Sequence, residues 1–435
     1  MTGDNQRNQS NQKITEKLTI SFWIFGLFDT CGNGIIHDCE QRMKEAAERG
    51  FNCIRMESGA GLFARPEGTT IDKVHLRLPF GEYSQYIRQC DYIKQEGEFD
   101  VRARLLAMFR AADRYGMKII LSSWYYLHTN WYLEEEINQP LFALSTEDKI
   151  AYFGEELDRI LTFLRENDLI HCVAFAEIFN EFDGLPFAGE YDQEALSPKE
   201  AEHLRTCHEL AIAKLRLHHP DIPFAYDAAV PDMREDLIPR NINILNYHCY
   251  YLWNVYNAFE HGAIINDMSE PDICADTAKY LRMKITTAQV AAQMGEVIRT
   301  GVGWTRRVRL YADIDQEKLT DLESCLQKEL EDKYEHFLGN LKRKTAQAVA
   351  VRDRVVPKAL LVMGEGVTYC ASLDLRFEEN SELYWQLIYE QMNLLREYDF
   401  YGTVVKTNCG PEDPSWELCR ERYIKANALF LQKNR

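Results

Sequence analysis

Two glutamates follow apolar runs that are rich in β-forming residues and lie far apart in the chain. Glu181 follows the run that begins at Ile170, and Glu365 follows the run Ala359–Gly364. Apolar runs of this length are typical of strands buried on both faces, as in a parallel sheet. The carboxyl ends of such strands carry the chemistry of α/β barrels, and glycoside hydrolysis requires a pair of carboxylates. The pair therefore predicts a carbohydrate-cleaving site, although either glutamate alone could equally be a salt-bridged residue of a barrel.

The rest of the chain supplies the elements that would position this pair. Apolar runs predict eight strands, at Ile20–Phe28, Phe51–Met56, Met117–Ser123, the run from Ile170, Ile222–Asp227, Ile242–Tyr247, Ala359–Gly364 and Tyr401–Lys406. Helical spacing between these runs predicts helices at Cys39–Arg49, Val101–Tyr115, Glu147–Glu166, Pro198–Leu217, Pro231–Leu237, Asn380–Tyr398 and Ser415–Leu429. This alternation favours an α/β fold, a (β/α)8 TIM barrel. A doubly wound open sheet is the alternative, but Gly32-Asn33-Gly34 lacks the full glycine-rich phosphate-binding pattern.

The alternation breaks after the sixth predicted strand. Residues 251–357 contain no convincing strand, whereas Ala275–Arg299 and Gln316–Val351 have helical patterns. We interpret this segment as a mainly helical insertion that forms a lid or a homo-oligomer contact; an extended barrel helix with a decorated loop is the alternative. The polar residues 1–18 are predicted to be disordered, so residues 19–435 would form the barrel.

Composition limits the partners of the chain. The formal net charge is −18, and an acidic surface repels phosphate, so neither a nucleic acid nor an anionic membrane is expected as a partner. No apolar stretch approaches the roughly 18 residues of a membrane-spanning helix, and the N-terminal residues lack the apolar core of a signal peptide. The 12 cysteines form no C-x-x-C pair, which predicts free thiols in a reducing compartment and a cytoplasmic protein.

Four short motifs resemble those of one known family. They are Gly50-x-Asn52-x-x-Arg55 at strand two, Asn180-Glu181 after strand four, His248-x-Tyr250 after strand six and Glu365 after strand seven. Their order and their strands are similar to those of the clan A retaining glycosidases, the cellulase-like (β/α)8 enzymes of glycoside hydrolase family 5. The resemblance covers roughly residues 20–429, apart from the insertion.

This resemblance implies a retaining β-glycoside hydrolase that acts on oligosaccharides or small β-glycosides. Glu181 would be the general acid/base and Glu365 the nucleophile. Asn180 would bind the sugar 2-hydroxyl, and Tyr250 would donate a hydrogen bond to Glu365. Supporting roles would fall to two further residues, with Arg55 keeping Glu365 ionised and His248 contacting the sugar or the acid/base. No cofactor motif or metal-ligating constellation stands out, so no metal is expected.

Aromatic residues near the predicted strand ends are candidates for contacts with sugar. Trp124, Trp131 and Trp253 are candidate sugar platforms, each about as often a packing residue, and His128 could lie near the reacting sugar. Buried charges are expected to be paired, which predicts an ion pair of Arg55 with either Glu177 or Glu57.

The sequence also departs from the family pattern. Phe182 stands where relatives have proline, and Thr407–Gly410 stands where many have a tryptophan below the sugar. These departures keep open a catalytically degenerate barrel that binds sugar or a partner protein.

Overall fold

A closed barrel of eight parallel strands forms the centre of the protein. The computed structural model describes residues 16–24, 26–29, 37–77, 88, 96–125, 128, 133–184, 196–228, 234–260, 275–282, 310–368 and 372–433. Its strands are β1 (Leu18–Trp23), β2 (Cys53–Glu57), β3 (Val74–Leu76), β4 (Gly97–Phe99), β5 (Lys118–Ser122), β6 (Val173–Glu177), β7 (Phe224–Ala228), β8 (Ile244–Cys249), β9 (Leu360–Gly366) and β10 (Gly402–Val404). The barrel order is β1, β2, β5, β6, β7, β8, β9, β10, and β10 pairs with β1 to close it. The predicted (β/α)8 barrel is therefore confirmed.

Helices surround the barrel and connect most of its strands. The α-helices span Cys39–Glu48, Val101–Arg114, Glu135–Phe142, Thr146–Glu166, Pro198–His218, Asn257–Glu260, Ala275–Ala278, Leu319–Asp332, Tyr334–Val355, Phe377–Asn380, Glu382–Glu397, Ser415–Leu418 and Arg420–Leu431. Local capping chemistry explains where the long ones begin. Ser145 accepts a hydrogen bond from the backbone of Asp148, and Ser197 forms a capping box with Glu200 at the start of Pro198–His218.

Several predicted elements differ from those in the structure. The first strand ends at Trp23 rather than Phe28, because Gly26–Phe28 turns into a 3-10 helix. The predicted helix Pro231–Leu237 is wrong over its described part, where residues 234–237 form turns. The antiparallel pair β3–β4 and the helix Glu135–Phe142 were not predicted.

The segment after β8 contains helices, but much of it lies outside the described residues. Helix Tyr334–Val355 packs against β8 and β9, and the hydroxyl of Tyr247 on β8 lies 3.3 Å from that of Thr345. This helix thus takes the place of a barrel helix. Because residues 261–274 and 283–309 are outside the described part, the predicted insertion at 251–357 stays a prediction. The predicted Gly32-Asn33-Gly34 loop and most of the predicted disordered segment also lie outside it, whereas Leu18 already belongs to β1.

A buried ionic cluster connects the loop between β3 and β4 to the loops that follow β9 and β10. Arg88 donates hydrogen bonds to Glu379 at 2.6 and 2.9 Å and to Asp413 at 3.1 Å. Lys406 donates to Glu378 at 2.6 Å. Burial alone raises the pKa of Glu378, but Lys406 and Arg88 outweigh it and lower that pKa to about 2. The cluster therefore holds three connections of the barrel mouth together.

The described residues also show the state of the cysteines and the hydropathy of the helices. Each cysteine in the described ranges carries a free thiol, as predicted. Within those same ranges, no helix combines the length and the apolarity that crossing a bilayer demands.

Candidate active site

Arg55 is the charged centre of the barrel mouth. It projects from β2, is fully buried and donates from Nη1 to Oε1 of Glu365 at 2.6 Å. Its Nη2 contacts four more side chains, Ser122 (3.2 Å), Glu177 (3.0 Å), Asn180 (2.7 Å) and Asp227. Burial alone lowers the pKa of Arg55, but the surrounding carboxylates raise it above its ordinary value. Arg55 is thus a permanent cation that ties β2 to side chains on or just after β6, β7 and β9.

Glu365, near the end of β9, is held through both carboxylate oxygens. Oε1 accepts from Arg55, and Oε2 accepts from the hydroxyl of Tyr250. The preceding residue must be a glycine, since a Cβ at Gly364 would lie 2.4 Å from the amide of Asn246. The two donors fix the orientation of the Glu365 carboxylate and stabilise its negative charge.

Glu181 follows β6 and is more open than Glu365, with a side chain that is 17% exposed. Its φ of 51° lies in the left-handed region, which L-residues other than glycine rarely adopt. The next residue, Phe182, is buried, and its ring centroid lies 4.3 Å from that of His208. This packing supports the turn in place of the proline found in relatives.

His248 connects the carboxylates of Glu181, Glu365 and Asp227. Its Nδ1 donates to Oε1 of Glu181 at 2.5 Å, and its Nε2 lies 2.8 Å from Asp227 and 3.5 Å from Glu365. Burial alone lowers the pKa of His248, but Asp227, Glu365 and Glu181 together raise it well above its ordinary value. These carboxylates therefore favour the imidazolium form of the ring. One carboxylate oxygen of Glu181, one of Glu365 and one ring nitrogen of His248 lie within 4.8 Å of one another.

Glu177 lies deeper in the barrel than Glu181. It accepts hydrogen bonds from Ser122 at 2.5 Å, Asn246 at 2.7 Å and Arg55. Burial and, secondarily, the charge of Asp227 raise its pKa to about 7 against the opposing effect of Arg55. The predicted Arg55–Glu177 ion pair is thus present.

The alternative prediction, an ion pair of Arg55 with Glu57, is wrong. Its carboxylate instead accepts from the backbone N–H groups of Gly59 at 2.9 Å and Trp124 at 2.6 Å. Burial raises the pKa of Glu57 to about 7.

Comparison with known proteins identifies the family of the chain. Residues 20–317 match the model of the family described as "Sugar-binding cellulase-like", which is well over half of the chain. The chain belongs to the cellulase-like family. No curated protein sequence gives a significant match.

Solved structures with the same fold include glycoside hydrolases. A candidate glycoside hydrolase from Parabacteroides distasonis is 15% identical, with a TM-score of 0.61 over 95% of this chain and 93% of that chain. The endo-β-1,4-mannanase of Thermotoga petrophila is 9% identical, with a TM-score of 0.50 over 98% of this chain and 80% of that chain. At such identities, the likeness concerns the fold.

The predicted aromatic contacts of this cellulase-like barrel fall into two groups. Trp253 is 37% exposed and meets the ring of Tyr250 edge-on at 5.8 Å, so it is open to a ligand beside Glu365. Trp124 is only 3% exposed, and its ring lies 4.6 Å from the guanidinium carbon of Arg55. It therefore supports Arg55 rather than offering an open platform. Trp131 lies outside the described residues.

The described contacts of His128 do not bring it to Glu181 or Glu365. It is 1% exposed, its Nδ1 lies 3.0 Å from Oδ1 of Asn138, and its ring packs edge-on against Phe153. Burial lowers its pKa to about 4. These contacts make His128 a neutral packing residue behind the loops. At the strand-eight position, Thr407 bonds to the backbone of Gly366 instead of supplying a tryptophan.

Two site residues, Asp227 on β7 and Asn246 on β8, were not predicted. Both are fully buried polar residues inside apolar strand runs. A buried polar side chain must find a partner, and that requirement is the signal by which they could have been found.

Two groups in the described ranges bring three potential metal ligands together. The first is Glu181, His248 and Glu365, where the imidazolium and the neighbouring Arg55 disfavour a cation. The second, at the opposite end of β6, is Asp113, His171 and Cys172, in which Nε2 of His171 already bonds Asp113 at 2.7 Å.

Proposed function

We propose that this cellulase-like protein is a retaining β-glycoside hydrolase. The supporting observation is the short gap between Glu181 and Glu365, since one carboxylate oxygen of each lies within 4.8 Å of the other. Retaining enzymes place their two carboxyl groups about 5–5.5 Å apart, whereas inverting enzymes need about 6.5–9.5 Å to admit a water molecule. The short gap favours direct attack by a carboxylate over attack by an intervening water.

Glu365 is the proposed nucleophile of the first step. It attacks the anomeric carbon while Glu181 transfers its proton to the glycosidic oxygen, so the carbon–oxygen bond breaks and a glycosyl ester forms. Arg55 and Tyr250 orient the Glu365 carboxylate for this attack. Because Oδ1 of Asn180 accepts from Arg55, the amide nitrogen of Asn180 is directed to donate to the sugar 2-hydroxyl.

The second step returns the enzyme to its starting state. Glu181, now ionised, takes a proton from water, and the resulting hydroxide attacks the anomeric carbon from the side that the leaving group vacated. The ester bond breaks, Glu365 is released as a carboxylate, and Glu181 carries a proton again. Two inversions at the anomeric carbon give net retention.

The proposed substrates are oligosaccharides or small β-glycosides, with Trp253 as a stacking platform for a sugar beside Tyr250. The free thiols are compatible with a reducing, cytoplasmic compartment.

A panel of aryl β-glycosides tests this proposal. Nitrophenol release is measured for glucoside, galactoside, mannoside, xyloside and cellobioside with wild-type protein, Glu365→Ala, and the surface control Glu331→Gln. We expect release by the wild type and the control, loss of nearly all turnover in Glu365→Ala, and partial rescue by azide as the inverted glycosyl azide.

Two results would contradict the proposal. Full activity of Glu365→Ala would remove Glu365 as the nucleophile. If folded wild-type protein released no nitrophenol from any glycoside but bound sugar in calorimetry, the degenerate sugar-binding barrel would be favoured.

A further inference from the structure

Asp227 lies between the two cations of the site. It is fully buried on β7, and its Oδ2 accepts from Arg55 and, at 3.3 Å, from Asn246. Its Oδ1 lies 2.8 Å from Nε2 of His248, an ion-pair contact whose angles are not those of a hydrogen bond. Asp227 thus contacts the ring nitrogen of His248 that faces away from Glu181.

We propose that Asp227 is a positioning residue for Glu181 and acts through His248. This inference rests on the proposed glycosidase function. The two ring nitrogens of an imidazole point in different directions, so holding Nε2 against Asp227 directs Nδ1 to Oε1 of Glu181 at 2.5 Å. Because Arg55 fixes the other oxygen of Asp227, the chain Arg55–Asp227–His248–Glu181 is anchored to the barrel wall.

The charges around His248 explain why this anchor is needed. Glu365 on β9 lies 3.5 Å from Nε2 and competes with Asp227 for the same nitrogen. Three carboxylates approach the ring from neighbouring elements, those of Glu181 after β6, Asp227 of β7 and Glu365 of β9. Arg55 of β2 pairs with two of them, Asp227 and Glu365, and the ring of Tyr250 lies 6.1 Å from that of His248. With Asp227 neutral, His248 loses the anion nearest to Nε2, and its ring can turn toward Glu365.

The consequence for catalysis depends on the leaving group. A general acid matters most when the departing oxygen is a strong base, and it matters little when a weakly basic phenolate departs. A residue that positions Glu181 must therefore affect phenyl glycosides more than 2,4-dinitrophenyl glycosides. A residue that only supports Arg55 or the barrel must affect both equally.

The test compares kcat/KM, which reports glycosylation, for Asp227→Asn on phenyl and 2,4-dinitrophenyl β-glycosides of the sugar that the wild type accepts. We expect a loss of roughly 10- to 100-fold with the phenyl substrate, a fraction of what general acid catalysis provides, and less than about 3-fold with the dinitrophenyl substrate. Tyr226→Phe is the matched control on the same strand, since the Tyr226 hydroxyl has no hydrogen-bond partner among the described residues. Equal losses on both substrates would overturn the proposal.

A double variant identifies the route of the effect. If Asp227 acts through His248, Asp227→Asn/His248→Gln loses no more on the phenyl substrate than His248→Gln alone. A further loss of tenfold or more in the double variant would contradict that route.

A measurement without turnover separates this inference from the proposed function. The ring nitrogens of His248 are followed by 15N NMR, with His248→Gln used to assign them. We expect both nitrogens protonated at pH 7 in the wild type and one deprotonated in Asp227→Asn. Should Asp227→Asn fail to fold, a neutral His248 ring in wild-type protein would still overturn the inference. Should the wild type hydrolyse no glycoside, the proposed function fails, and the NMR result still decides the Asp227–His248 contact.

Discussion

Glu177 makes the stability of this barrel depend on pH in a defined direction. Burial raises its pKa from about 4.5 to about 7, so the folded protein binds this proton more tightly than the unfolded chain. The contribution of Glu177 to stability is then fully present below about pH 4.5, falls as the pH rises through the interval up to about 7, and does not return above it. The difference between the pKa of Glu177 in the folded and in the unfolded protein corresponds to about 3 kcal/mol in the free energy of unfolding.

Glu177→Gln removes this titration while keeping the shape of the side chain. The variant amide can donate to Oδ1 of Asn246, which has no hydrogen-bond partner in the structure, once the Asn246 amide turns over. Relative to the wild type, we expect the free energy of unfolding of the variant to rise by about 2–3 kcal/mol between pH 5 and pH 8. Urea unfolding at both pH values measures this change.

Glu331→Gln, on the exposed face of helix Leu319–Asp332, is the matched control, and its difference from the wild type should stay constant within about 0.5 kcal/mol. A constant difference for Glu177→Gln as well would refute the reasoning. It would mean that Arg55 keeps Glu177 ionised in the folded protein at every pH tested.

Three further expectations follow from single residues. Arg55→Lys replaces a guanidinium that hydrogen-bonds Glu365 and the deeper carboxylates by a single ammonium group. The free energy of unfolding, measured in urea, should therefore fall by about 3–5 kcal/mol, and an unchanged value would contradict the central ion-pair network. Asp168 lies at a left-handed position (φ 60°) after helix Thr146–Glu166, so Asp168→Gly should raise the free energy of unfolding by about 0.5–1 kcal/mol, measured by thermal unfolding. Asn167→Gly should not raise it, and equal effects of the two substitutions would rule out backbone strain as the cause. Trp253→Ala should raise KM for an oligosaccharide roughly 3- to 10-fold with little change in kcat, and an unchanged KM would exclude stacking there.

The barrel could be predicted because its strands are buried on both faces. Every residue of β2, β7 and β8 is buried, so each strand appears in the sequence as an apolar run. The pair β3–β4 has only three residues in each strand, too few to show a period. Helix Glu135–Phe142 was missed for a different reason, since it contains Pro140.

The candidate site could be predicted only as far as strand ends determine it. The carboxyl ends of parallel strands meet at one face, which brings Glu181, His248 and Glu365 together. Which side chain an interior residue contacts depends on the closure of the barrel, so the sequence did not show that Asp227 lies between His248 and Arg55. The orientation of loop residues is harder still to predict, because the local sequence pattern does not determine whether an aromatic ring faces the barrel mouth or packs against the helices behind the loop.

The buried cluster around Arg88 has a consequence for the time course of synthesis. Arg88 and its partner Asp413 are separated by 325 positions. At about 5–20 residues per second, the ribosome adds Asp413 roughly 16–65 s after Arg88. Its other partner, Glu379, is 291 positions away, so the buried ion pairs of Arg88 cannot form until most of the chain has been made. The same holds for the barrel, because β1 meets its second neighbour only when β10 has left the exit tunnel. Closure of the barrel therefore waits for β10, and ribosome-bound chains that still lack it should expose their unclosed barrel edges to chaperones.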